Sequence, residues 1–172
     1  MGPVARITKK KRLTVAVAES SDATRRFYTG PFAELGHDVT VHDEPAKAGD
    51  ALAQSGADAV LIELAPPDEA LKTLRHVRRA LPDVVLGAVI ASFSDDLAEK
   101  ALGAGADLLL LKPNPVGRGP RSLAHQIRQC LQLRQAVAES ARASAELARA
   151  REDLATMGLV DPATEALNDR YL

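Results

Sequence analysis

The stretch Gly103-Ala104-Gly105-Ala106-Asp107-Leu108-Leu109-Leu110-Leu111-Lys112-Pro113 decides the reading of this chain. A glycine closes a helical segment, a short apolar run follows, and a lysine then a proline end it. Four consecutive leucines, with polar residues on both sides, suit a short strand covered on both faces, as strands of a parallel sheet are. Further strand-like runs precede it. They are Leu13–Ala18, Asp38–His42, Ala59–Glu63 and Val84–Ile90, and with Leu108–Leu111 they make five.

Helical patterns fill the intervals at Ala23–Leu35, Glu44–Gln54, Asp68–Ala80 and Ser94–Ala104. Asp43 is placed to cap the second of these, with Pro45 in its first turn, and Ser94 to cap the fourth, where Asp95 and Asp96 favour the helix dipole. Gly36, Gly56 and Gly105 stand where helices should stop. Strands alternating with helices predict a parallel, doubly wound, five-stranded α/β sheet of flavodoxin-like type. In such a sheet, chemistry is sought at the carboxyl ends of the strands.

After Lys112, Pro113, Asn114, Pro115, Gly117, Gly119 and Pro120 form a loop, and then neither proline nor glycine recurs until Gly158. A helix of roughly 38 residues would extend about 57 Å, too long to lie wholly on so small a domain. Leu133, Ala136, Ser140, Ala143, Leu147, Ala150, Leu154 and Met157 recur at alternating spacings of three and four, the seam of a parallel two-stranded coiled coil. A single solvated alanine-rich helix is the competing reading. The expected organisation is a flexible basic N-terminus at 1–12, a domain at 13–131, a coiled-coil signalling helix at 132–160 and the start of an output domain at 161–172.

Composition narrows the function classes. With 46% hydrophobic residues among 172, one substantial core and an appendage are affordable. Lysine and arginine number 22 against 23 aspartates and glutamates, so no global field attracts nucleic acid. The run Lys9-Lys10-Lys11-Arg12 reads as a solvated start. No apolar stretch approaches the roughly 20 residues of a membrane span. A lone Cys130 forms no internal disulfide, which fits a reducing compartment, and a cytoplasmic location is expected. Asp22 reads as a helix N-terminal residue, and His42 and His76 lack ligand spacing. No zinc, haem or phosphate-loop pattern is present in the sequence, and no metal site or cofactor is expected.

Three segments together resemble the receiver domains of bacterial response regulators, over about Leu13–Leu131. Val15-Ala16-Val17-Ala18-Glu19-Ser20-Ser21 is similar to the first strand with its acidic pair. Ala57-Asp58-Ala59-Val60-Leu61-Ile62-Glu63 is similar to the third strand with its phosphoacceptor, and Gly103 to Pro113 to the fifth strand with its lysine and proline. The resemblance implies a role in two-component signal transduction and a pocket in which Mg²⁺, a lysine and a hydroxyl converge on a phosphoryl group carried by an aspartate. In this chain Ala18 takes the first acidic place and Glu19 the second. Glu63 replaces the aspartate, Ile90 replaces the hydroxyl residue, and Lys112 is kept. Mg²⁺ binding is expected to be lost with these changes. Two readings of Glu63 and Lys112 stay open: an ion pair that imitates the phosphorylated state, or two residual charges that satisfy one another.

The end of the chain, Asp161 to Leu172, resembles the opening of GGDEF diguanylate cyclase domains through Asp161, Thr164, Asn168 and Arg170. Glu165 and Asp169 depart from that pattern. The resemblance implies a regulatory and dimerisation module of cyclic di-GMP signalling, not itself an enzyme, whose partners are a second copy through the helix and an upstream signalling protein. The alternative is a degenerate receiver with a helical RNA-binding output, using Arg128, Arg134, Arg142, Arg149 and Arg151. Glu139, Glu146 and Glu152 interrupt that stripe and no aromatic residue is available for stacking, so no nucleic-acid partner is expected. A flavodoxin-like ligand-binding domain ranks last, because Glu19-Ser20-Ser21-Asp22 has no glycine to admit a phosphate.

Overall fold

The computed structural model describes residues 12–112 and 119–156. The strands are β1 (Thr14–Ala18), β2 (Asp38–His42), β3 (Ala59–Glu63), β4 (Val85–Ile90) and β5 (Leu108–Leu111). They form one sheet in the order β2-β1-β3-β4-β5, all neighbours parallel. The helices are α1 (Asp22–Phe27), α2 (Gly49–Ala53), α3 (Pro67–Ala80), α4 (Asp95–Gly103) and α5 (Pro120–Thr156). This is the doubly wound arrangement expected from the alternation of runs.

Because strand side chains alternate, the apolar runs feed two cores. Ala16, Ala18, Val60, Ile62, Leu86, Ala88 and Ile90 pack on Leu52 of α2, Leu71, Leu74 and Val77 of α3, and Ala101 of α4. On the other face Val15, Val17, Leu61, Val85 and Val89 pack on Tyr28, Phe32 and, from α5, Leu123, Ala124 and Ile127. Each fully buried aliphatic side chain contributes about 1.5–3 kcal/mol. α3 shows the sequence logic most clearly: Pro67 lies in its first turn with Asp68 and Glu69, and Ala70, Leu71, Leu74 and Val77 fall on its buried face.

Two helices differ from expectation. The first does not run from Ala23 to Leu35. Ser21 caps it by accepting from the Thr24 N–H at 3.5 Å, α1 ends at Phe27, a wide π turn spans Tyr28–Phe32, and a 3₁₀ turn spans Ala33–Leu35. Pro31 lies inside the wide turn. It has no N–H and its ring crowds the carbonyl four residues back, so the regular helix cannot pass through it. Gly36 closes the segment at φ +85°, a left-handed conformation that suits glycine.

The second helix does not begin at Glu44, and Asp43 does not cap it. A separate turn, with the Lys47 N–H donating to the Glu44 carbonyl at 3.0 Å, precedes a helix of only Gly49–Ala53. Packing sets this start: a β-carbon on Gly49 would lie 3.2 Å from the His76 ring, while Leu52 is fully buried. The fourth helix begins as expected, with Ser94 Oγ accepting from the Leu97 N–H at 3.4 Å.

Two compact units divide the chain, Met1–Leu131 and Gln132–Leu172. α5 is continuous over 37 residues. In the first unit its Leu123, Ala124 and Ile127 are buried. In the second, Ala136, Ser140, Ala143 and Ala150 are exposed, as are Leu133 (65%), Leu147 (56%) and Leu154 (40%). Met157 and the junction residues Asp161, Thr164, Asn168 and Arg170 lie outside the described residues, as does the basic run Lys9 to Lys11. No helix among the described residues is long and apolar enough to cross a membrane.

Candidate functional site

The site is built from the carboxyl ends of three strands. β1 ends at Ala18, and the Glu19 N–H donates to the His42 carbonyl at 2.9 Å, which holds the first loop at the sheet top. β3 ends at Glu63, and the next N–H, of Leu64, donates to the Val89 carbonyl at 2.8 Å. The Lys112 N–H donates to the Ile90 carbonyl at 2.9 Å. Backbone pairing thus delivers Glu19, Glu63 and Lys112 to one crevice.

There the Lys112 ammonium bridges two carboxylates. It pairs with Glu63 Oε1 and lies 2.9 Å from Glu19 Oε1. Ser20 secures the other oxygen of Glu63: its N–H and its hydroxyl both donate to Oε2, at 2.7 and 2.6 Å. The Ser21 N–H donates to Glu19 Oε1 at 2.9 Å. Arg25 pins this loop from below, donating to the Glu19 and Ser20 carbonyls at 3.1 and 2.6 Å. Glu19 Oε2 is buried and has no hydrogen-bond partner among the described residues.

Electrostatics separates the two carboxylates. Burial pushes Glu19 up; the bonds from Lys112 and Ser21 oppose this without cancelling it, and the Glu63 charge adds to it. Burial also works to raise Glu63, but the Lys112 bond and the two Ser20 bonds outweigh it and hold this carboxyl below its usual range. Burial works to lower Lys112, and the bonds and charges of Glu63 and Glu19 hold it above the ordinary lysine value. Burial, with Glu19 and Glu63 nearby, strongly raises the phenol of Tyr28.

The resemblance places Mg²⁺ in such a crevice, and the donor set here does not suit it. The metal wants near-octahedral hard oxygens. Both oxygens of Glu63 and one of Glu19 are already committed to Lys112, Ser20 and Ser21, and the ammonium lies between the carboxylates. Among the described residues no group of three or more His, Cys, Asp or Glu gathers to hold a metal ion. Ile90 is 2% exposed and belongs to the apolar core, so it offers the crevice no hydroxyl.

The structure therefore brings together Glu19, Glu63 and Lys112 of the residues singled out from sequence. Ala18 is not among them: its side chain packs in the core with Ile62 and Ile90. The residue beside Glu63 is Ser20, which sequence reasoning passed over. Its one signal was its place between Glu19 and the capping Ser21. Asp22 opens α1 and pairs with Arg26 at 2.8 Å, and His76 lies 3.0 Å from Asp50. Of the arginines on the long helix, Arg128 lies with its Nη2 3.3 Å from His37 Nε2 in the first unit.

No family model and no curated protein sequence matches the chain. Solved structures do. A response regulator receiver domain protein from Methanospirillum hungatei superposes with a TM-score of 0.63 at 18% identity, covering 73% of this chain and 98% of its own. A response regulator from Thermotoga maritima gives 0.61 at 22% identity, covering 71% and 99%. The signal receiver domain of a modulated diguanylate cyclase from Desulfovibrio desulfuricans gives 0.62 at 15% identity, covering 73% and 98%. At these identities the likeness is one of fold, and the fold is that of receiver domains.

Proposed function

We propose that this chain is the regulatory part of a bacterial signalling protein, a receiver-like domain that works without phosphorylation and passes its state to an output domain. The observation that carries this reading is the closed crevice: the Lys112 ammonium pairs with both Glu63 and Glu19, and Ser20 donates twice to Glu63. In-line attack on a phosphoryl donor needs a free carboxylate oxygen at near-contact distance. Glu63 has none to offer, and the ammonium that would stabilise the incoming charge is already neutralised. The exposed leucines of residues 132–156 support the second element of the reading, a two-stranded helix joining two copies. The GGDEF-like residues from Asp161 onward, together with the receiver fold shared with a domain of a diguanylate cyclase, support a cyclase-like output in cyclic di-GMP signalling.

The test is to incubate the full chain with Mg²⁺ and acetyl phosphate or beryllofluoride, then read intact mass and light scattering. No adduct and an unchanged dimer mass are expected. An adduct on Glu63, or dimerisation only after treatment, overturns the proposal.

A further inference from the structure

The amino ends of β1 and β2 lie at the end of the sheet opposite the crevice, and His37 is buried there, immediately before β2. The N–H of Leu13, the residue before β1, donates to its Nδ1 at 3.4 Å. The ring of Phe32 packs on it with centroids 4.9 Å apart, and Arg128 of α5 presents Nη2 at 3.3 Å from its Nε2. Each ring nitrogen therefore has an N–H donor before it. A neutral imidazole has one proton and one acceptor, so it serves one of these donors at a time; an imidazolium carries two protons and accepts from neither. A guanidinium keeps its charge at every ordinary pH, so a protonated ring would also meet a like charge at close range, out of water. The described carboxylates at this end are engaged elsewhere. Asp38 pairs with Arg12, Asp58 Oδ2 accepts from the Thr14 N–H at 2.9 Å, and Glu34 on the preceding turn is exposed.

We propose that His37 and Arg128 form an acid-labile clasp, which holds the buried part of α5 on the sheet at neutral pH and opens when the imidazole takes up a proton. Arg128 lies one turn beyond Ala124 and next to Ile127, both fully buried, so a repulsion felt at its guanidinium acts directly on the face that docks α5. Opening frees the imidazole to bind a proton, so acid favours the open form: stability present above about pH 6.5 is lost as pH falls below it. With one proton linked to opening, the opening equilibrium rises about tenfold between about pH 7.5 and 5.5. His76 works in the opposite sense, since protonation beside Asp50 at 3.0 Å completes an ion pair.

The clasp shares no residue with the crevice and stands whether or not phosphoryl chemistry occurs there; only its bearing on signalling, through the helix that continues into the exposed leucines, rests on the function proposed above. Hydrogen exchange on the full chain, read by mass spectrometry at about pH 7.5 and 5.5 and corrected for intrinsic amide rates, compares residues 120–131 with α3. Protection over 120–131 is expected to fall about tenfold at the lower pH while α3 holds, a result that needs no variant. His37→Asn, whose side-chain oxygen can accept from the Leu13 N–H without titrating, should abolish the response. Arg128→Glu should reverse it, because protonation then completes an ion pair, and His76→Asn should leave it as in the parent. Four results overturn the proposal: unchanged protection over 120–131 in the unaltered chain, an equal loss in α3, a response that persists in folded His37→Asn, or one that keeps the parent's sign in folded Arg128→Glu.

Discussion

Arg78, on α3, ties together three segments of the receiver unit, and its removal has a calculable effect. Its Nε donates to the Gly105 carbonyl at 3.0 Å, and its Nη1 to the carbonyls of Leu81, Pro82 and Val84 at 3.3, 2.9 and 2.9 Å. Its Nη2 pairs with Asp107 Oδ2 at 2.6 Å, and that oxygen also accepts from the Leu86 N–H at 2.8 Å. The two side chains are 19% and 16% exposed, so the pair is mostly out of water. Breaking a buried pair from one side costs about 3–5 kcal/mol, and the remaining exposure together with the surviving Leu86 bond places Arg78→Ala near the lower end, about 3 kcal/mol. For a chain of this size that corresponds to a fall in Tm of roughly 6–12 °C. Urea unfolding followed by circular dichroism should show a lower midpoint at unchanged slope. Arg78→Lys should recover little, because an ammonium cannot reproduce a planar fork with five donors. A double-mutant cycle with Asp107→Asn should give a coupling above about 1 kcal/mol. A loss below about 1 kcal/mol for Arg78→Ala, or full rescue by lysine, refutes the reasoning.

Three further outcomes are expected. Lys112 is held above its ordinary value, so its stabilising contribution is complete below about pH 10.4 and drains away as pH rises through its folded value; Lys112→Met should lack that alkaline loss in a series of melts. Gly87 sits in β4 where an added β-carbon would lie 2.6 Å from Leu61 Cδ2 in a filled core, so Gly87→Ala should lose about 1–3 kcal/mol in chemical unfolding. Leu147 is exposed on the helix, and in the proposed two-stranded seam its replacement by Arg should convert the proposed dimer to monomer in light scattering while the receiver unit's circular dichroism is retained; a persistent dimer would refute the seam.

The sheet was legible because its strands are runs such as Val60-Leu61-Ile62, apolar on both faces, and both faces are covered. Glu63 and Lys112 were legible through the resemblance to receiver domains, which implies a charged residue at the carboxyl end of the third strand and of the fifth. Ser20 was not, since in a loop a serine that bonds a carboxylate 43 residues away reads the same as one that caps the next helix. The partition of the first helix was signalled by Gly30-Pro31, but helical periodicity on either side masked it. The start of α2 depended on the close approach of Gly49 to His76, a long-range contact that no local pattern announces. Arg78 looked like any surface residue of an amphipathic helix, because its partners are mostly main-chain carbonyls that become neighbours only on folding.

The two margins of the sheet are unlike. β2 presents Asp38, which pairs with Arg12, and Thr40, so a second strand approaching there meets charge and polarity. β5 is four leucines with a described neighbour on one side only, and Leu111 is 52% exposed. A sheet margin of that composition is the natural template for edge-to-edge aggregation. Loss of solubility on concentration or gentle heating should therefore begin along β5, and a lysine gatekeeper at Leu111 would delay it with little effect on the core.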